Sequence, residues 1–229
     1  MSDNQRKIEA QKDAAVIIAG TRAVLAQNTE PTIVSILIVD ESGTMQKYGN
    51  VPQDEINKHF EAIKADPSDQ RQYCAVITFS DRYRVRVKFS LAENLQPLTT
   101  YNADGPTLLY ETVYQLIKLF LPITEGLDHV QMFIGVFSDG KDNTSDKKRQ
   151  PKKLKKAAKF ALKKGWQLFT FGIGINGKDL AEAMGFPTDT DHAKTVEDNE
   201  EGVVDTFTHF SASTIHFGDP RFCDLKSDP

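Results

Sequence analysis

Apolar and polar residues alternate along the chain in a pattern that predicts strands followed by helices. The run TIVSILIVD, Thr32–Asp40, is apolar and β-branched at both odd and even positions, which is typical of a strand buried on both faces. Residues 53–64 follow with apolar side chains every three or four positions, which predicts an amphipathic helix. The same spacing, more loosely kept, predicts an earlier helix over residues 4–27. A helix, a buried strand and a second helix therefore open the chain.

Two further strands are predicted at residues 73–80 and 82–90, joined by a very short connection around Asp81. A connection this short makes them antiparallel neighbours. The second strand alternates apolar residues with Arg84, Arg86 and Lys88, which predicts an edge strand with one face in water. Helices then follow at 108–120, 151–164, 178–184 and 199–212, and strands at 130–137, 166–175 and 192–196. This alternation predicts an α/β fold with a mostly parallel sheet and one antiparallel edge strand.

Length and composition predict one main domain. The chain has 229 residues, of which 39% are hydrophobic and 26% are charged, and this is enough for a single large core. We expect an N-terminal helix and linker at residues 1–30, the α/β domain at 31–215 and a tail at 216–229. The net charge of −4 gives no general reason to expect binding to nucleic acid.

The sequence predicts neither a disulfide framework nor a membrane span. The two cysteines, Cys74 and Cys223, are too few and too different in setting for a disulfide framework or a zinc site. The segment MSDNQRKIEAQKD lacks the basic-then-apolar order of a signal peptide, and the apolar segment after it is short and contains Arg22. We therefore expect a cytoplasmic protein.

Oxygen-bearing side chains stand at three places where predicted strands end or loops follow them. They are Asp40, Ser42 and Thr44 after the first buried strand, Thr107 in the loop NADGPTLLYE, and Asp139 after the strand at 130–137. Ligands of an open parallel sheet bind beyond the carboxyl ends of its strands, so we expect these side chains to converge. Carboxylates and hydroxyls without histidine or thiolate suit a hard cation such as Mg²⁺ or Mn²⁺. The sequence therefore predicts a metal site at this edge of the sheet.

The segment LIVDESGTM resembles the Asp-x-Ser-x-Ser signature of von Willebrand factor type A domains. The metal-ion-dependent adhesion site (MIDAS) of that family also takes a threonine from a second loop and an aspartate from a third. Asp40 and Ser42 match the signature directly, and Thr44 keeps the hydroxyl of the usual serine but adds a methyl group. Thr107 lies in a similar second loop, and Asp139 in FSDGKDN matches the third segment. The resemblance covers roughly residues 32–212, and the compact bacterial TerY-like members are similar.

The resemblance implies a Rossmann-like three-layer sandwich and a protein-binding module with no enzymatic activity. It implies that Ser42 and Thr44 bind the ion directly and that Thr107 binds directly or through water. It also implies that Asp40 and Asp139 act largely through water, which leaves the ion short of negative charge. An Asp or Glu of a partner protein can then complete the coordination. The implied role is an intracellular adaptor or assembly subunit.

Three other interpretations stay open. Asp40 and Asp139 could simply cap the helices that follow them. VDESGTM also resembles, more loosely, the opening motif of haloacid-dehalogenase-like phosphohydrolases, with Asp40 as nucleophile and Mg²⁺ as cofactor. That chemistry needs an acid/base group two residues later, and the hydroxyl of Ser42 cannot shuttle protons near neutral pH as a carboxylate can. The last interpretation is a scaffold whose site has lost its metal, and Thr44 in place of the usual serine would reflect that loss.

A strongly basic segment is the other feature with a functional interpretation. The run KKRQPKKLKKAAKFALKK, residues 147–164, contains ten Lys or Arg residues and no acidic residue. Its apolar stripe packs on the sheet in the simplest interpretation, and its lysines form a solvated surface. The alternative is a basic surface for an acidic partner. We expect no aromatic residue on the exposed side to stack on bases, so an acidic protein is favoured over nucleic acid.

Overall fold

The computed structural model describes residues 21–143 and 149–217, which form six strands and six α-helices. The strands are β1 (Thr32–Asp40), β2 (Arg71–Phe79), β3 (Tyr83–Leu91), β4 (Val130–Ser138), β5 (Gln167–Ile173) and β6 (Ala193–Val196). The helices are α1 (Thr21–Gln27), α2 (Val51–Lys64), α3 (Leu109–Phe120), α4 (Gln150–Lys163), α5 (Gly177–Met184) and α6 (Glu200–Ile215). Short 3-10 helices lie at Gly43–Tyr48 and Ala92–Asn94. Within the described residues, each predicted element is present.

The strands form a single sheet in the order β3-β2-β1-β4-β5-β6. β1 pairs in parallel with β2 and β4, and β5 and β6 extend the sheet in parallel. Among the described strands, β3 alone is antiparallel, which the short connection before it predicted. All nine residues of β1 are buried, because β1 lies inside the sheet with helices on both faces. The prediction of a three-layer α/β sandwich with a mostly parallel sheet is confirmed.

Alternate residues of β1 divide between two apolar cores, one on each face of the sheet. Val34, Ile36 and Ile38 pack with residues of α1, α3, α4 and α5. Leu37 and the other intervening apolar residues pack with residues of α2 and α6. The residues on both faces of β1 are therefore mainly apolar, since each face is covered by a layer of helices. This division leaves the ends of the parallel strands free to form a site.

Aromatic rings dominate the core between the sheet and helices α2 and α6, near the carboxyl ends of the parallel strands. Phe137 of β4 stacks on Phe171 of β5 and on Phe207 of α6, with ring centroids 4.8 and 4.2 Å apart. Phe210 adds an edge-to-face contact to Phe137 at 5.7 Å. Each fully buried phenylalanine contributes about 1.5–3 kcal/mol through burial alone. The cluster therefore fixes α6 against the carboxyl half of β4, two residues before Asp139.

The described end of the predicted N-terminal helix packs on its own domain. Leu25 of α1 is buried in the first core, and Arg22 donates hydrogen bonds to the carbonyls of Pro122 and Ile123 at 2.5 and 3.1 Å. The remainder of that helix, residues 4–20, lies outside the described residues, as do Cys223 and nearly all of the predicted tail. Within residues 21–143 and 149–217, no helix combines the length and the apolar character needed to cross a bilayer.

The edge strand β3 departs from the prediction at two of its basic residues. Lys88 is exposed, but Arg84 and Arg86 are half-buried. Arg84 pairs with Asp81 at 2.9 Å, and Arg86 pairs with the buried Glu41. This face of β3 is therefore only partly exposed to solvent, because Arg84 and Arg86 form ion pairs with carboxylates near the end of the sheet.

Candidate metal centre

The carboxyl ends of β1 and β4 lie side by side at one edge of the sheet. Their register pairs Val39 with Phe137, so the next residues, Asp40 and Ser138, are neighbours. The hydroxyl of Ser138 donates a hydrogen bond to Asp40 Oδ2, and Asp139 follows directly. Parallel pairing alone therefore brings the first and third predicted segments together.

Hydroxyl groups connect the two carboxylates. Ser42 N donates to Asp40 Oδ1 at 2.8 Å, which turns the chain sharply after β1. Ser42 Oγ lies 3.3 Å from Thr44 Oγ1, and Thr44 Oγ1 donates to Asp139 Oδ1 at 2.7 Å. Asp40 and Ser42 are buried, whereas Thr44 is exposed at the rim. Four of the five predicted residues thus form one continuous hydrogen-bonded chain that opens to solvent at Thr44.

Thr107 approaches the same space from a third loop. Its backbone N–H donates to Asn143 Oδ1 at 2.9 Å, and its carbonyl accepts from Asn143 N at 3.1 Å. A methyl group placed on Gly140 would lie 3.5 Å from Thr107 Oγ1 and 4.0 Å from Thr44 Oγ1. Both hydroxyls therefore face the backbone of Gly140. The structure brings all five predicted site residues to one place.

Burial and charge set the electrostatics of the two carboxylates. Burial raises the pKa of Asp40 to about 6, hydrogen bonds from Ser138 and Ser42 oppose this shift, and the charge of Asp139 adds to it. Asp139 Oδ2 is buried and is paired with the ammonium of Lys47, whose Nζ lies 3.3 Å away. A buried carboxylate needs a compensating charge, and Lys47 supplies one from a side chain that is itself 44% exposed.

The donor set fits a hard divalent cation. Three hydroxyls and two carboxylates meet here, namely those of Ser42, Thr44, Thr107, Asp40 and Asp139. Oxygen donors of this kind suit Mg²⁺ or Mn²⁺ better than softer metals. In the part of the chain that the structure describes, no group of three or more His, Cys, Asp or Glu side chains is placed to hold a metal. A site at this edge therefore depends on hydroxyl ligands.

Lys47 connects the centre to the last helix. Its Nζ lies 2.6 Å from Asp198 Oδ1 as well as 3.3 Å from Asp139 Oδ2. Asp198 also accepts a hydrogen bond from the hydroxyl of Tyr48 and directly precedes Asn199, the N-cap of α6. Partial burial lowers the pKa of Lys47, but the bonds to Asp198 and Asp139 outweigh this and raise it overall, so the ammonium stays charged. Neither Lys47 nor Asp198 stands out in the sequence, because their partners are distant in sequence.

Glu41 points away from the five residues and holds the loop that leads to Thr107. Its side chain is 1% exposed and accepts hydrogen bonds from Thr78 Oγ1 at 2.6 Å and from Asn102 N at 2.9 Å. The same carboxylate forms an ion pair with Arg86 of β3. Sequence reasoning missed this pair, since nothing local to either residue marks a glutamate and an edge-strand arginine as partners. Its effect is to tie the end of β1, the end of β2 and the second loop together.

One protein-family profile matches most of this chain. The profile of the von Willebrand factor type A domain matches residues 36–209, which include all five site residues. A comparison with curated protein sequences gave no match.

Solved structures with the same fold share little sequence with this chain. Proximal thread matrix protein 1 from the mussel byssus, described with a zinc-occupied MIDAS motif, is 13% identical with a TM-score of 0.55 over 82% of this chain and 47% of its own. A von Willebrand factor type A protein from Catenulispora acidiphila is 17% identical with a TM-score of 0.56 over 80% and 43%. The pilus adhesin SpaC from Lactobacillus rhamnosus GG is 15% identical with a TM-score of 0.62 over 82% and 30%. This chain spans less than half the length of each, and at these identities the likeness shows the fold alone.

Proposed function

The chain belongs to the von Willebrand factor type A domain family, and on that basis we propose that it is a metal-dependent protein-binding module. The proposed metal is Mg²⁺ or Mn²⁺, held by Asp40, Ser42, Thr44, Thr107 and Asp139. The proposed partner is a protein that offers an Asp or Glu side chain. The observation that carries this proposal is the hydrogen-bonded chain from Asp40 through Ser42 and Thr44 to Asp139.

Each site residue has a role that its present contacts support. The hydroxyls of Ser42 and Thr44 are the proposed direct ligands, and Thr44 is the exposed one. Both oxygens of Asp40 already accept hydrogen bonds, from Ser42 N and from Ser138, which favours contact with the ion through water. Asp139 uses Oδ1 for Thr44, and its Oδ2 pairs with the ammonium of Lys47. Thr107 is proposed to bind directly or through water.

The balance of charge favours an acidic partner. The site contributes two carboxylates, and both act through water in this proposal, so the direct ligands are neutral hydroxyls. A divalent cation bound there supplies a coordination position that a carboxylate oxygen can fill. Thr44 at the rim leaves room for an incoming side chain, whereas Asp40 and Ser42 form the buried floor. The chain's own residues therefore orient and partly neutralise the ion, and the partner supplies the remaining charge.

Water relaxation with Mn²⁺ tests capture of a carboxylate. We expect acetate to lower the relaxivity of protein-bound Mn²⁺, because it replaces a metal-bound water, and we expect acetamide at the same concentration to leave it unchanged. Thr44→Val should lose the acetate response and Thr44→Ser should keep it, since only the serine variant retains the hydroxyl. Equal responses to acetate and acetamide would contradict the proposed partner chemistry.

The phosphohydrolase alternative finds no support in the comparisons. Asp40, its required nucleophile, is fully buried, and both carboxylate oxygens are engaged in hydrogen bonds. A nucleophile needs an exposed oxygen and a nearby acid/base group, and Ser42 provides no such group. Turnover of p-nitrophenyl phosphate that disappears in Asp40→Asn would nevertheless restore this alternative.

Other predictions from the sequence stay part of this proposal. They are the role as an intracellular adaptor or assembly subunit, the cytoplasmic location, the likeness to TerY-like members and the domain limits at residues 31–215. The acidic partner at residues 147–164 would use a different surface from the metal centre. No enzymatic activity is required by any of these roles.

A further inference from the structure

The outer side of α4 is a dense array of cations. Seven exposed lysines lie on α4 and the residue after it: Lys152, Lys153, Lys155, Lys156, Lys159, Lys163 and Lys164. We call this set the lysine face. Within residues 21–143 and 149–217, none of the seven forms an ion pair, and Lys153 lies over the ring of Tyr114 at 6.0 Å. Lys147 and Lys148 of the predicted basic run lie outside the described residues.

An aromatic residue lies within the lysine face. Phe160 is 53% exposed, although the sequence analysis expected no aromatic residue on this side, and that expectation was wrong. Leu154, Ala157, Ala158 and Ala161 form the buried stripe of α4, and Phe160 stands outside it. Its neighbours at helical spacing are Lys156, Lys163 and Lys164. The lysine face is therefore basic and includes one exposed apolar side chain.

The charges in the first turn of α4 work against the stability of the helix. The first turn contains Lys152 and Lys153 and no acidic residue, and the N-cap Arg149 makes no side-chain capping bond. Cations near a helix N-terminus oppose the helix dipole, and lysines three or four positions apart repel each other. Residues that destabilise their own helix are expected where a surface serves binding, and the lysines of this turn are such residues.

We propose that the lysine face binds an acidic protein segment that also places an apolar side chain on Phe160. Charge complementarity selects Asp and Glu, and an exposed aromatic residue beside several cations matches the mixture of apolar and polar contacts in a protein interface. The buried stripe fixes this orientation, because α4 cannot turn its lysines inward without exposing Leu154 and three alanines. This surface does not depend on the metal centre.

Nucleic acid and membranes fit these features less well. Single-stranded nucleic acid binds along grooves in which several aromatic residues stack on successive bases, whereas α4 presents a convex helix with one phenylalanine. An interfacial membrane helix buries its whole apolar side in lipid, and the apolar side of α4 is already packed in the core. A protein segment needs only complementary charges and one apolar contact.

Fluorescence anisotropy with a short labelled peptide, rich in Glu and with Leu at every fourth position, tests the proposal. The assay contains EDTA, so that the metal centre makes no contribution. We expect wild type to bind this peptide more tightly than a peptide of Glu alone. The triple variant Lys156→Gln, Lys159→Gln and Lys163→Gln should bind about tenfold more weakly. Phe160→Ala should weaken binding of the Leu-containing peptide about fivefold and leave the Glu peptide unaffected.

The matched control carries the same change of charge on other elements. Lys58→Gln, Lys64→Gln and Lys88→Gln together should bind as wild type. Circular dichroism checks that each variant is folded, since Gln and Ala preserve helix propensity. Equal loss in the control triple, an unchanged Phe160→Ala, or tighter binding to oligothymidine or phosphatidylserine vesicles than to the peptide would overturn the proposal.

Discussion

Replacing Arg86 with methionine tests how the loop before Thr107 is held. The change removes the cation that pairs with Glu41, whose side chain is 1% exposed, and leaves the carboxylate in place. Breaking a buried ion pair costs about 3–5 kcal/mol, and because Arg86 is itself 22% exposed we expect the lower end, about 3 kcal/mol. For a chain of this length, that loss lowers the midpoint of thermal unfolding by about 6–12 °C.

Lys88→Met is the matched control, because Lys88 lies on the same strand, two residues further on, and is exposed. We expect its free energy of unfolding to change by no more than about 0.5 kcal/mol. In a Glu41→Gln background, Arg86→Met should cost much less, since no charge is left unpaired. Urea unfolding of the metal-free variants, followed by circular dichroism, measures all four. The reasoning fails if Arg86→Met costs no more than Lys88→Met, or costs the same in both backgrounds.

Three further predictions follow from the structure. Burial lowers the pKa of His59 from 6.5 to about 3, so the unfolded state takes up the proton first and this residue by itself lowers stability by about 2 kcal/mol between pH 8 and pH 5. Asp40, whose pKa is raised to about 6, opposes this loss over the same range, so the test is the difference in urea unfolding between wild type and His59→Gln, which should shift by about 2 kcal/mol against wild type from pH 8 to pH 5. Lys47→Met should raise Mn²⁺ affinity several-fold in a titration, because it removes a cation 3.3 Å from Asp139 Oδ2; unchanged or lower affinity would contradict this. A methyl group on Gly177 would lie 2.0 Å from the carbonyl oxygen of Lys194, so Gly177→Ala should cost about 1–3 kcal/mol in urea unfolding, and a neutral substitution would count against the packing described.

The fold was predictable because its signals are local and periodic. The apolar run of β1 predicted a strand covered on both faces, and the short connection at Asp81 predicted the antiparallel β3. Convergence of the five site residues was also predictable. Parallel strands have their carboxyl ends at one edge, so Asp40 and Asp139 had to lie near each other.

The missed features depend on contacts between distant segments. Glu41 and Arg86 are 45 positions apart, and the short-range pattern of β3 places Arg86 in water. Lys47 lies in the 3-10 helix Gly43–Tyr48 and reaches Asp198, whose position just before α6 depends on the packing of that helix. Phe160 was missed for another reason: a helical pattern predicts which side is buried, but not whether a residue at the edge of the stripe is covered by a neighbour. Such contacts require the folded chain.

Binding of Mn²⁺ to the metal-free protein, followed by electron paramagnetic resonance, shows whether the five residues hold a metal ion. We expect wild type and Thr44→Ser to bind the ion in the presence of acetate. We expect Ser42→Ala and Thr44→Val, which each lack one hydroxyl, to bind about tenfold more weakly or worse. If all four proteins bind alike, the hydroxyls are not ligands and the adhesion-type site is contradicted. If wild type binds no Mn²⁺ at all, the von Willebrand factor type A fold stands without the metal function proposed for it.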